Sequence, residues 1–219
     1  MSILSARDGY RAWAPRYSPE TAVSFLEDVL VGEFEIPTAG RALLDAGCGT
    51  GRRLIHSGAA RAVGVDLTPA MLGESAGEVM LGVADIRALP FEDESFDVVW
   101  CRLVIGHLPD LAPAYSELAR VCREGGAVIV TDFHPDAVAA GHRRTFRDGD
   151  GVVHEVEHYI HTPEAHAMAG AFARLRQSAR RDGEVGPVVR HFYAEAGRAA
   201  AYQAQFGERI VLAMAYRKE

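Results

Sequence analysis

Apolar positions along this chain gather into short unbroken runs, and the segments between the runs carry apolar residues at helical intervals. A continuous apolar run bounded by polar residues or glycine reads as a strand buried on both faces, whereas spacing at i, i+3 and i+4 reads as one face of a helix. Strands are predicted at residues 42–45, 62–66, 79–83, 96–101 and 127–131, the last being the most β-branched of the set. Helices are predicted near residues 21–30, for about two turns from Arg52, and from about Leu111 to Val121. Another opens at Thr68-Pro69, where a capping residue precedes a proline at the first helical position. Pro15 and Pro19 break the N-terminal amphipathic segment, residues 37–40 form a loop, and Glu124-Gly125-Gly126 reads as a turn. Strands alternating with helices at this interval imply an α/β fold: a mostly parallel sheet with helices on both faces. Beyond Asp132 the pattern changes. Residues 152–159 read as a solvent-lined strand, 163–179 as a helix, and 188–192 and 210–217 as final strands.

Composition narrows what such a chain does. Its 219 residues, 48% of them hydrophobic, suffice for one large domain with a continuous core. A formal net charge of -7 argues against a general nucleic-acid or membrane-surface binder, which carries a basic excess. The local pairs Arg143-Arg144 and Arg180-Arg181 read as solvated surface. No run reaches the roughly 18 apolar residues of a membrane span, and the opening MSILSARDGY has no signal-peptide core. Cys48, Cys101 and Cys122 are odd in number and widely spaced, as expected for reduced thiols in a cytoplasmic protein.

The most informative stretch is LLDAGCGTGRR, from Leu43 to Arg53. An apolar run ends in Asp45, and Gly47, Gly49 and Gly51 follow at alternate positions. Glycine permits positive φ and lets a ligand lie against bare backbone, which makes a nucleotide-type cradle at the carboxyl end of a first strand. A dinucleotide fingerprint places its third glycine where this chain has Arg52. Asp45 adds an acceptor where a ligand's ammonium group would sit. Asp66 ends the second predicted strand, where a carboxylate accepts both hydroxyls of a ribose. Asp85 and Ile86 follow the third, and a carboxylate with the next backbone N–H reads the edge of an adenine ring.

The glycine turn with Asp45 before it resembles motif I of the class I S-adenosylmethionine-dependent methyltransferases. Leu89-Pro90-Phe91 and Ser95-Phe96-Asp97-Val98-Val99 resemble the run that follows the third-strand acid in many small-molecule members, and LARVCREGGAVIVTDFH, from Leu118 to His134, completes the likeness. Cys122 and Glu124 stand where leucine and proline are usual, and the helices after the first two strands look about a turn short. The resemblance covers residues 43–131 and is closest to UbiE-like and natural-product methyltransferases. It implies a Rossmann-like, seven-stranded sheet with an antiparallel C-terminal edge, and S-adenosylmethionine as cofactor. It also implies Asp45, Gly47, Cys48, Gly49 and Gly51 at the methionine end, Asp66 and Leu67 at the ribose, and Asp85 and Ile86 at the adenine. Arg102 and Leu103 would line the methionine part. Tyr10, Trp13, Ala14 and Tyr17 resemble an entrance helix, with Tyr17 capping the cofactor. The single domain over 1–219 would then divide into an N-terminal helical lid (1–40), a cofactor-binding half (41–132) and an acceptor-binding segment that completes the sheet (133–219).

Histidines cluster after the fifth strand, at positions 134, 142, 154, 158, 161 and 166. If residues 152–159 form a strand, His154 and His158 share a face, opposite Glu155, Glu157 and Tyr159. A general base near working pH, a metal site and a polar lid compete as readings. His134 is the preferred base, with His158 or His161 reaching over from the lid and His107 as a further candidate; the histidine spacing matches no recognisable zinc pattern, and no metal is assigned. The expected function is methyl transfer to a small-molecule oxygen, nitrogen or acidic carbon, without nucleic-acid or membrane partners. The alternative is a protein of the same fold that binds S-adenosylmethionine for non-methylating chemistry or regulation. Oligomeric state and acceptor identity are not encoded in these patterns.

Overall fold

In a computed structural model of the chain, which describes residues 2–17, 20–75, 77 and 79–219, the element order begins with β1 (Ser2–Leu4), α1 (Ala6–Trp13) and α2 (Ala22–Gly32). There follow β2 (Ala42–Ala46), α3 (Arg52–Ile55), β3 (Arg61–Asp66), α4 (Pro69–Gly73), β4 (Met80–Val83), β5 (Phe96–Arg102), α5 (Ala112–Val121) and β6 (Cys122–Phe133). The remainder comprises α6 (Pro135–Ala139), β7 (Thr145–Arg147), β8 (Val153–Val156), α7 (Pro163–Phe172), β9 (Leu175–Glu184), α8 (Arg190–Glu195), α9 (Ala199–Gln205) and β10 (Arg209–Lys218). Seven strands form one sheet in the order β4-β3-β2-β5-β6-β10-β9. The first five pair in parallel, and β10 runs antiparallel to both β6 and β9.

Successive side chains of a strand point to opposite faces, and in β2 both faces are buried. Leu44 packs with Tyr115 and Leu118 of α5, while Leu43 packs on the other face with Leu54 of α3 and Trp100 of β5. Leu26 and Leu30 of α2 cover Val211 and Ala213 of β10. The cap of α2 is a reciprocal pair in which the Thr21 and Ser24 side chains each accept from the other's backbone N–H. Reversal of strand order between β3-β2 and β5-β6 opens a crevice at the carboxyl ends of β2 and β5, where ligands bind in open α/β sheets. A second, three-stranded sheet, β1-β8-β7, belongs to the lid that lies over this end. Here β1 pairs in parallel with β8, so the N-terminus and the segment after β6 build the lid together.

Several expectations are corrected. Residues 163–179 are not one helix: α7 stops at Phe172, Arg174 adopts φ 58°, and the chain turns into β9. Sequence patterning missed β9 because it is an edge strand whose charged residues (Arg176, Arg180, Arg181) resemble a solvated helix face. Residues 188–192 are helical, entering α8 through a turn at Pro187–Val189, and are not the partner strand of β10. The strand expected at 152–159 is only β8, so His158 does not share a strand face with His154. The helix from Arg52 is a single turn. Glu124-Gly125-Gly126 lies within β6 as a bulge: Phe96 pairs with Cys122 and Val98 with Ala127, with Gly125 at φ 67°. Pro19 lies outside the described residues.

Candidate active site

The turn after β2 explains its glycines. Gly47 has φ 87°, and a Cβ added there would come within 2.3 Å of Val104 Cγ2. Its N–H and that of Cys48 both donate to the Val65 carbonyl of β3, so the turn is folded onto the neighbouring strand. Asp66, at the end of β3, accepts from the Gly49 N–H at 2.9 Å and the Thr68 N–H at 2.8 Å. Burial raises the Asp66 carboxyl above its ordinary range, against the lowering effect of these bonds. Each of its oxygens therefore has a fixed direction.

A cavity of about 730 Å³ opens over these strand tips. Gly47, Cys48 and Gly49 line it beside Asp66 and Leu67, and Asp85 and Ile86 line it beyond β4. Arg102, Leu103 and His107 border it from β5 onward, and Tyr17 from the lid. Asp85 is bound by its neighbour Arg87, with Nη2 2.6 Å from Oδ2. The lid wall is aromatic: Trp13 stacks on Phe146 with centroids 5.1 Å apart, and Tyr10 stacks on Trp13 at 5.7 Å. Gly51 does not line the cavity; it adopts φ 73° before α3. Asp45 does not line it either. Its carboxylate is completely buried, neither oxygen has a hydrogen-bond partner, and burial pushes its pKa up to about 6.

Beneath the cavity lies an ionic network that sequence patterning missed. Glu27 of α2, fully buried, accepts from Arg102 Nε and Nη2 at 2.7 Å each, from Arg53 Nη2 at 2.9 Å and from the Thr131 hydroxyl at 2.8 Å. Burial alone would raise the Glu27 carboxyl, but the Arg102 and Arg53 charges outweigh it and lower the pKa to about 2. Arg102 also pairs with Asp28, so its guanidinium is bound by protein carboxylates. A signal existed: Glu27 occupies the apolar stripe of α2 with Val23, Leu26 and Leu30, where an acid needs a buried partner.

The histidines are not gathered at the cavity; His158 and His166 meet at Asp132, edge-on to His107 and His161. His107 Nδ1 donates to the Glu157 carbonyl at 2.7 Å, and its Nε2 accepts from Arg144 Nη1 at 3.0 Å. Burial, then the Arg144 charge, lowers the His107 pKa to about 3, which favours the neutral imidazole. His134 lies outside the cavity lining as the cap of α6, its Nδ1 accepting from the Asp136 N–H at 3.1 Å. His161 Nε2 donates to the Leu108 carbonyl at 2.8 Å. His158 Nε2 lies 3.4 Å from Asp132 Oδ1, and His166 Nε2 lies 3.4 Å from Asp132 Oδ2. Burial opposes ionisation of Asp132, but the two imidazoles prevail and hold its carboxyl well below the usual range. His166 Nδ1 meets the Tyr115 hydroxyl at 2.9 Å, making this a buried polar core beneath the lid. Of the four proposed bases only His107 touches the cavity, and both of its nitrogens are engaged.

Comparison with known proteins agrees with this architecture. Residues 44–130 match the methyltransferase domain family. The chain is 33% identical over 165 residues to the 27-O-demethylrifamycin SV methyltransferase of Amycolatopsis mediterranei, an alignment covering 67% of this chain and 60% of that protein. It is 43% identical over 101 residues to the demethylmenaquinone methyltransferase of Roseiflexus castenholzii, covering 42% of each. The chain thus spans between two and three fifths of the length of these curated relatives. The crystal structure of an S-adenosylmethionine-dependent methyltransferase from Mesorhizobium loti superposes with a TM-score of 0.68 at 16% identity, covering 88% of this chain and 98% of that one. Glycine turn, strand order and family match together identify the chain as one carrying a methyltransferase domain with the Rossmann-like fold of the class I S-adenosylmethionine-dependent methyltransferases.

Proposed function

We propose that this protein transfers a methyl group from S-adenosylmethionine to a small organic acceptor. The observation that carries this reading is the continuity of one cavity from the glycine turn and Asp66 to the lid around Tyr10, Trp13 and Phe133. Its volume lies within the range of about 300–1,000 Å³ typical of small-molecule sites. The residues present suit the cofactor: backbone that only glycine allows at Gly47, and a carboxylate at Asp66 whose oxygens are oriented by two N–H donors.

When bound, S-adenosylmethionine supplies a methyl group activated on a sulfonium. In this assignment Gly47, Cys48 and Gly49 receive the methionine end, and Asp66 with Leu67 takes the ribose. Asp85 and Ile86 flank the adenine, and Leu103 and Tyr17 close over the reacting end. Arg102 and Asp45 act from below, Arg102 by anchoring the strand tip to α2 through Glu27. Because the leaving group is already activated, the protein chiefly has to hold the acceptor in line and exclude water. Leu103 contributes to that alignment, since it adopts φ 58° and its N–H donates to the Thr131 hydroxyl at 2.9 Å. A strained backbone held this firmly at a cavity wall is a positioning device.

Residues 41–132 would carry the cofactor, and residues 1–40 with 133–219 would select the acceptor. The relatives named for 27-O-demethylrifamycin SV and for demethylmenaquinone support an organic small-molecule acceptor. No described helix is long and apolar enough to cross a membrane, and three buried, unpaired cysteines support residence in a reducing cytoplasm. The test is release of S-adenosylhomocysteine on adding phenols, carboxylic acids, amines or acidic carbon compounds one at a time. Acceptor-dependent release supports methyl transfer. Tight cofactor binding with no release for any class would favour a binding or non-methylating role.

A further inference from the structure

Arg144 sits between the two halves of the cavity, just before β7. Its Nη1 donates to the Leu103 carbonyl at 2.9 Å, to the Tyr10 hydroxyl at 3.0 Å and to His107 Nε2 at 3.0 Å. Its own carbonyl accepts from the Val156 N–H at 2.8 Å, which ties the backbone to β8. The guanidinium is therefore fixed in place, yet every one of these bonds uses the same nitrogen. Nε and Nη2, the edge that grips a carboxylate with two parallel bonds, meet no protein acceptor among the described residues.

Several other charged groups around the cavity have partners. Arg102 and Arg53 share Glu27, and Arg87 holds Asp85. The Glu157 carboxylate accepts from the Tyr159 hydroxyl at 2.7 Å. Arg143 donates to the Val138 and His142 carbonyls. Arg144 is a half-buried cation that forms no ion pair among the described residues. Burial opposes the Arg144 charge, but Tyr10 and, without an ion pair, Asp132 favour it; the open two-donor edge is left for a carboxylate to complete.

We propose that the acceptor is a carboxylic acid, bound as its carboxylate to the free edge of Arg144, and that the reaction makes its methyl ester without a general base. This rests on the methyl-transfer reading above and names its substrate class. One carboxylate oxygen forms a bond to the methyl carbon as that carbon's bond to sulfur breaks. The bonding pair stays on sulfur, the sulfonium becomes a neutral thioether, and the carboxylate becomes a neutral ester. No proton moves, so the step calls on neither His107, whose two nitrogens are engaged, nor His142, which also lines the cavity and pairs with Glu208 at 2.8 Å. The ester has lost the charge that Arg144 held, so product binds more weakly than substrate and leaves.

The test is calorimetric titration of benzoate and hexanoate, against benzamide and hexanamide as neutral counterparts, into protein saturated with S-adenosylhomocysteine. In the unaltered protein at least one acid is expected to bind about 10- to 100-fold more tightly than its amide, the scale of charge-assisted hydrogen bonding. Arg144→Met should abolish that preference, and Arg144→Lys should restore only part of it, because an ammonium lacks the two-pronged edge. Both variants should still bind S-adenosylhomocysteine, which shows that they are folded. Equal affinity for acids and amides, or a preference that survives Arg144→Met, overturns the proposal. Failure of the unaltered protein to bind S-adenosylhomocysteine is a separate outcome, and removes the methyl-transfer reading together with this one.

Discussion

His134 and Asp45 show how position in sequence and position in space part company. Asp45 lies one residue before the end of β2 and His134 one residue after the end of β6, and tip residues of an open sheet usually face the ligand crevice. His134 instead caps α6, so His134→Ala is expected to lower stability by about 0.5–2 kcal/mol while leaving turnover unaltered; thermal melts and steady-state rates would check this. Asp45 lies under the turn with two unpartnered oxygens. Its pKa rises from 3.8 to about 6, so its neutral form favours the folded state fully below about pH 4, and that benefit is lost as pH rises through 6. Asp45→Asn should therefore melt higher than the unaltered protein at pH 8 and differ little from it at pH 4. A lower midpoint at pH 8 would mean that the ionised form is compensated within the free protein. Glycine positions were legible because each answers to local backbone geometry, as Gly47 does with its φ of 87°. The lid contacts of Arg144 and Glu157 were not, because they join positions far apart in the chain.

At the scale of elements, the parallel strands were legible wherever both faces are buried, since β2, β5 and β6 then read as unbroken apolar runs. Legibility failed at the edge: β9 mixes charged residues (Arg176, Arg180, Arg181, Asp182, Glu184) with small ones and has the composition of a surface helix. The lid strands β1 and β7 have three residues each, too short for any period to register. Their existence depends on pairing with β8. What joins α2 to this framework is Glu27, which ties that helix to β5 through Arg102 and to β6 through Thr131. Glu27→Gln would leave Arg102 and Arg53 short of their shared counter-charge, and a loss of about 3–5 kcal/mol is expected in urea unfolding. The pH dependence has a defined sign. With its pKa lowered from 4.5 to about 2, Glu27 contributes stability that is complete above about pH 4.5 and is lost as pH falls towards 2. The variant should show a flatter acid limb than the unaltered protein.

For the molecule as a whole, the fold divides labour between a sheet that presents a nucleotide cradle and a lid assembled from both ends of the chain. The cradle lies within the segment matched by the methyltransferase domain family; the lid lies outside it, lines the other side of the cavity and is proposed to select the acceptor. The donor was therefore readable from local motifs, whereas the proposal for the acceptor rests on the lid's contacts. The central claim, that the crevice over β2 and β3 holds S-adenosylmethionine, is tested most directly by calorimetric titration of S-adenosylhomocysteine into the unaltered protein and Asp66→Ala, with NAD as control. Micromolar binding of S-adenosylhomocysteine alone is expected, weakened by about 1–3 kcal/mol in the variant through loss of charge-assisted bonds. Binding of NAD in its place, or an affinity indifferent to Asp66, would contradict the account.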